Sequence, residues 1–225
     1  MYVKELWRYP VKSMRGEPLE EAEVAVDGIV GDRLVQVQDA RGLVTARRRS
    51  GLLGLHATLG GDGVALVDGE PWWHPHVDEL VKQAAGPQSH LVSHAGPERF
   101  DILPLLVATD GAIIAFGKDG RRLRPNIVIG GVDGLSEQDW EGRTMMIGPV
   151  SVYLDSLRPR CVVTTFDPDT LEQDPGVLRD IYRRLGGSLA LNTSVQHPGT
   201  VRLNDPVQLL DEDETTALRQ GHRGR

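Results

Sequence analysis

Cys161 is the single cysteine of the chain and stands in Arg158-Pro159-Arg160-Cys161-Val162-Val163-Thr164-Thr165, after a proline-restricted turn and at the start of an apparent strand. A lone cysteine is most often inert packing. Two arginines beside it favour the thiolate, which is both a nucleophile and a soft-metal ligand. One thiol excludes an internal disulfide and any cysteine-built zinc or iron–sulfur cage within one chain. Cys161 is therefore a candidate for catalysis, or for holding a metal through one protein bond.

The basic residues group at turn-to-strand junctions. Lys12-Ser13 follows Tyr9-Pro10, Arg33 follows Gly31-Asp32, Arg47-Arg48-Arg49 ends a hairpin strand, and Arg124-Pro125-Asn126 opens Ile127-Val128-Ile129. Each alone reads as a solvated surface charge. Gathered at element ends they could build one anion pocket, and with Cys161 they point to a small, anionic, metal-bearing ligand. His74-x-His76-x-Asp78, with His90 and His94 downstream, has the beginnings of a zinc site. Glu79 stands where a further histidine would strengthen it, so an exposed turn after the packed pair Trp72-Trp73 is the preferred reading. The sequence contains no G-x-S-x-G elbow, no G-x-G-x-x-G and no phosphate loop.

These residues need elements to position them. The chain has 225 residues, 40% of them hydrophobic, enough for one large domain or two halves sharing a core. Its 25 Lys+Arg against 32 Asp+Glu leave a net charge of −7, which argues against general nucleic-acid binding. Lys4 and Glu5 fall where a signal peptide would be apolar, and Pro104, Asp110 and Gly111 break the most apolar stretch, Ile102 to Phe116. The expectation is a cytoplasmic protein without membrane or nucleic-acid partners.

With 26 Gly and 14 Pro, many turns are favoured over long helices, and the chain reads as mainly β, of the α+β class. Alternation predicts a strand over Tyr2 to Tyr9. Hairpins are predicted around Gly42, over His56 to Asp68 and over Met145 to Leu154, and a final pair, Val201 to Leu203 with Val207 to Leu210, turns at Asn204-Asp205-Pro206. Asp174-Pro175 followed by Leu178, Ile181 and Leu185 predicts a helix ending at Gly186. Asp78 to Gly86 and Asp110 to Gly117 are shorter helix candidates, each opening on an aspartate. A boundary falls between Ala84 and Asp101, and the polar tail from Asp211 is expected to fray.

Tyr9-Pro10-Val11-Lys12-Ser13, Gly31-Asp32-Arg33, Val44-Thr45-Ala46-Arg47, Arg124-Pro125-Asn126, Arg160-Cys161 with Thr164-Thr165-Phe166-Asp167-Pro168-Asp169-Thr170, and Pro198-Gly199-Thr200-Val201 with Asp205-Pro206-Val207 occur in the order seen in MOSC-domain proteins. From Tyr2 to Leu210 the chain resembles that family. It is similar to the amidoxime-reducing components and to the C-terminal portion of molybdenum cofactor sulfurases. The resemblance implies a β-barrel MOSC fold with a β-rich N-terminal subdomain, divided as residues 1–95, 96–211 and a flexible tail over 212–225. It also implies molybdenum–molybdopterin (Moco) as cofactor, with Cys161 as the catalytic metal ligand. Lys12, Ser13, Arg33, Arg124, Asn126 and Arg160 fall on motif positions for cofactor contacts, as does Asn192, where some relatives place an aromatic residue.

There are two departures from the family pattern. Pro159 replaces a small polar residue, and Ile102-Leu103 replace a Thr-Ser pair before Pro104, so hydroxyl donors are lost. The implied activity is two-electron reduction of small N-hydroxylated or N-oxide substrates, with electrons from a separate donor protein, a flavoprotein or a small redox carrier. The alternatives are a cofactor or sulfur carrier using Cys161 without turnover, and a scaffold that binds no metal.

Overall fold

The computed structural model describes residues 1–94, 96–211 and 214–215. The chain is mostly β, as expected, and its centre is an eight-stranded sheet. From one edge the strands run Val207–Leu209, Thr144–Ile147, Val150–Pro159, Ser188–His197, Leu105–Thr109, Ile127–Gly130, Tyr2–Arg8 and Glu17–Leu19. Leu105–Thr109 and Ile127–Gly130 are parallel, so they need a crossover, which helix α2 (Asp110–Phe116) provides. Every residue of these two strands is buried. Leu105 and Val107 face the main core, whereas Leu106 and Ala108 face Ala190 and Ile113 on the other side. The period of two thus divides one strand between two apolar layers.

A second core forms around Val11, Met14, Val37, Leu52, Val67 and Val81, where helix α1 (Pro75–Ala85) packs over two three-stranded sheets. Helix α3 (Pro175–Arg184), capped by Asp174 as expected, closes a third cluster with α2 through Phe116, Val177 and Ile181. The first strand belongs to the large sheet, with Leu6 opposite Ile127, and the chain leaving it runs directly into the second core at Val11. Lys12 and Ser13 are thereby carried to the seam between the two cores.

Several local expectations shift. The last two strands form, but not as a hairpin: Gly199–Arg202 pairs with Glu21–Ala25, and Val207–Leu209 pairs with Thr144–Ile147. The turn is where predicted, with Asn204 at φ 68°, but Asp205 closes it by accepting from the Arg202 amide at 2.7 Å, and the strands diverge. Helix α1 starts earlier than Asp78 because Pro75 takes the first helical position. His74 caps it, Nδ1 accepting from the His76 amide at 3.3 Å. Thr109, not Asp110, caps α2, and Asp110 instead accepts from the amides of Gly131 and Val132. Trp72 packs on the second core, whereas Trp73 is 59% exposed and meets it edge-on. The tail expected to fray lies largely outside the described residues. Among the described residues no helix is long and apolar enough to cross a membrane.

Candidate functional site

At the seam between the cores lies a cleft, and Lys12, Ser13, Arg33, Arg124, Asn126, Arg160 and Cys161 all line it. Among the described residues six cations reach this one cleft, since Arg47 and Arg158 join Lys12, Arg33, Arg124 and Arg160, and Asp101 is the single carboxylate on its wall. In a chain with net charge −7, that is a strong local reversal of sign.

The backbone is held unusually to achieve it. Ser13, Arg33 and Arg124 have φ of 72°, 54° and 57°, three of the seven non-glycine residues with left-handed φ among those described. Each such residue costs about 1–2 kcal/mol, so the surroundings must fix it. Ser13 Oγ accepts from the Ala46 amide at 3.0 Å. Tyr9, 3% exposed, lies beneath two of the arginines, with the Arg124 and Arg33 guanidinium carbons 4.3 and 5.1 Å from its ring centroid. Its hydroxyl donates to Pro125 O at 3.1 Å, and burial pushes the phenol up to about 12 against the opposing pull of Arg124 and Arg33.

Asp32, fully buried, accepts from the Tyr9 amide at 2.7 Å and from Asn126 Nδ2 at 3.2 Å, and pairs with Arg33. Asn126 also donates to Trp7 O, while its oxygen accepts from the Leu106 amide and from Arg33 Nη1. The polar atoms of Asn126 are thus committed within the protein, and in this arrangement it orients Arg33.

The wall can be tested at Gly16, where an added Cβ would lie 2.2 Å from Arg8 O and 2.5 Å from Tyr9 Cδ1. Gly16→Ala is expected to lower stability by about 1–3 kcal/mol by displacing that ring. Urea denaturation checks it, and wild-type stability would refute the packing argument.

Cys161 is half-buried, precedes the short 3₁₀ turn Val162–Thr165, and its side chain makes no capping bond there. Thr164 Oγ1 donates to Cys161 O at 2.8 Å and Thr165 Oγ1 to Val162 O at 2.6 Å. Asp167 accepts from the amides of Asp169 and Thr170 and pairs with Arg122 Nη2 at 2.9 Å. The long motif after Cys161 is therefore the scaffold of the turn that presents the thiol. Arg160 donates to Leu123 O at 2.7 Å, but its Nε and that of Arg158 are buried without an acceptor. Burial, and then Arg158, push Arg160 down to about 10; burial likewise lowers Arg158, with Arg33 and Arg47 adding to it. Guanidinium stays protonated in proteins, so these two buried cations carry a desolvation cost that a nearby anion would offset.

Asn192 is placed elsewhere. It is buried in Ser188–His197, donates to Ser156 Oγ at 3.1 Å, and stands opposite Leu106, the residue that does line the cleft. His74 and His76 are exposed at the start of α1, and among the described residues no group of three His, Cys, Asp or Glu is arranged to hold a metal. Sequence reasoning missed Asp101, and it set Arg158 beside the thiol without counting it in the anion pocket. Arg158 carried a signal, being two residues before Arg160 on an extended segment and so on the same side. Asp101 carried none.

Residues 1–71 match the MOSC N-terminal beta barrel domain, and residues 116–208 match the MOSC domain. Mitochondrial amidoxime-reducing component 1 of Homo sapiens is 25% identical over 282 aligned positions, covering 93% of this chain and 83% of that protein. Mitochondrial amidoxime reducing component 2 of Macaca fascicularis is 25% identical over 285 positions, covering 91% and 82%. The crystal structure of the YUAD protein from Bacillus subtilis superposes with a TM-score of 0.52 at 13% identity, over 92% of this chain and 94% of that one, a likeness of fold.

Proposed function

We propose, for a chain that belongs to the MOSC-domain proteins, that the seam cleft binds the molybdenum cofactor and that the loaded protein reduces N-hydroxylated or N-oxide compounds. The observation that carries this is the wall itself, with six cations and one thiol converging while the Nε atoms of Arg158 and Arg160 lie buried without acceptors. A molybdopterin, which brings a phosphate, a polar ring edge and a metal already held by its dithiolene, fits that donor set. The metal then needs only one protein bond.

Bound cofactor would supply two-electron redox chemistry and an acceptor for the substrate oxygen. The chain's own residues would do the rest. Cys161, on the wall beside Arg158 and Arg160, would give the metal a soft sulfur ligand. Lys12, Ser13 and Arg47 would hold the anionic end, charge-assisted bonds being worth ~1.5–3 kcal/mol each. Arg33 and Arg124, fixed on the Tyr9 ring, would orient the ligand's polar edge.

The balanced reaction takes a hydroxylamine or amidoxime, two electrons and two protons to the amine or amidine and water. The amidoxime-reducing relatives support that substrate class. In this reading electrons come from a separate flavoprotein or small redox carrier, and the protein works in the cytoplasm.

The test is purification from a host that makes molybdopterin. It should yield molybdenum-loaded protein that converts benzamidoxime to benzamidine with a chemical reductant. Loading without turnover across a panel of N-oxygenated compounds would favour a carrier, and neither loading nor turnover would remove the proposal.

A further inference from the structure

The cleft already contains an anion, and it belongs to the protein. Asp101 Oδ1 lies 2.7 Å from Lys12 Nζ, and Oδ2 lies 3.2 Å from Arg47 Nη2. The Lys12 side chain is 7% exposed but that of Asp101 is 43% exposed, so a buried ammonium is neutralised from the solvent side. Burial draws the Asp101 carboxyl upward, and Lys12, Arg47 and Arg158 outweigh it, keeping its pKa below the usual carboxylate value.

Two features make the carboxylate removable. Lys12 Nζ also donates to Arg99 O at 2.7 Å, a bond that does not need Asp101. Arg99 is itself anchored by Asp27 and stacks on Phe100 at 4.5 Å, so the backbone before Asp101 is fixed. Ile102, the next residue, is 51% exposed. The Asp101 side chain itself lies on the solvent side, 43% exposed, which leaves it room to turn into water.

Resting on the reading of this cleft as an anion pocket, we propose that Asp101 is a placeholder. Its carboxylate occupies the position of a ligand's phosphate between Lys12 and Arg47 and is turned out to solvent when the ligand arrives. A tethered carboxylate acts at a high effective concentration. The displacement cost is the same for every entering anion, so Asp101 sets an affinity threshold that weakly held anions fail to reach, without altering the ratio of affinities among those that bind.

Methyl phosphate and methyl sulfate share a tetrahedral head, and at pH 8 they carry charges near −2 and −1, the second phosphate pKa being about 6. Each is titrated by calorimetry, at fixed ionic strength, into full-length cofactor-free wild type and Asp101→Asn. Displacement costs the same whichever anion enters, so the variant should gain for both by the same factor, roughly three- to tenfold. If the carboxylate instead stayed and only repelled, the gain would scale with ligand charge, and the phosphate factor would approach the square of the sulfate factor. That pattern, or no gain, overturns the placeholder while leaving the pocket intact. Absence of binding to either protein would remove the anion pocket and the placeholder with it. Asp101→Ser carries the same expectation should the asparagine variant misfold.

Discussion

Cys161→Ser protein, purified from a molybdopterin-producing host, is expected to carry under about a tenth of the wild-type molybdenum and to lose N-reduction by at least ~100-fold, because a hard hydroxyl replaces the soft thiolate. Serine is close in size, and the Cys161 side chain makes no capping bond in its turn. The backbone that presents it is held by Thr164, Thr165 and Asp167 instead. Stability should therefore stay within about 0.5 kcal/mol of wild type, which separates loss of ligation from loss of fold. Metal analysis alongside a melting curve makes the comparison. A serine variant retaining both metal and activity would show that the thiol is not the ligand.

The second large effect is at Asp32. Its carboxylate is fully buried and serves the Tyr9 amide, Asn126 Nδ2 and the Arg33 guanidinium together. Asp32→Ala leaves the buried Tyr9 amide and one N–H of Asn126 Nδ2 without an acceptor and takes the carboxylate away from the largely buried Arg33 guanidinium. The expected loss is about 3–5 kcal/mol, because breaking a buried pair exposes the desolvation that the pair was offsetting. For a chain of this size that is a fall of roughly 6–20 °C in melting temperature. Asp32→Asn, which keeps an oxygen for the Tyr9 amide, should lose less. Chemical denaturation of both variants checks the order, and an alanine variant within 1 kcal/mol of wild type would show that Asp32 does not hold this wall together.

Local features of the fold were legible because their causes are local. Asp174-Pro175 announced α3, and Gly42, at φ 97°, turned the hairpin that alternation around it predicted. Partners across the sheet were not legible. The alternating segment Val201-Arg202-Leu203 looks the same whether it pairs with Val207 to Leu210 or, as the strand Gly199–Arg202 does, with Glu21–Ala25. For the site, the resemblance identified residues that the chain does bring together, although they are scattered from Lys12 to Cys161. What it could not indicate was division of labour. Asn126 looks like a ligand-facing amide in the sequence, but its bonds go to Trp7, Asp32, Leu106 and Arg33. Asp101 is an ordinary acidic residue until folding sets it against Lys12.

The pairing of Tyr2–Arg8 with Ile127–Gly130 also bears on biosynthesis. One edge of that first strand is covered early, since Glu17–Leu19 folds back on it within a few residues. The other edge waits for a partner about 120 residues downstream. At ribosomal rates of ~5–20 residues per second that is roughly 6–24 s. During that interval Val3 and Leu6, which end in the main core, have no core to enter, and an unpaired strand edge is a template for another nascent chain. Translation speed between these two strands, and chaperone occupancy of the emerging Tyr2–Arg8 segment, should then influence the soluble yield of this protein more than small changes in the stability of its finished fold.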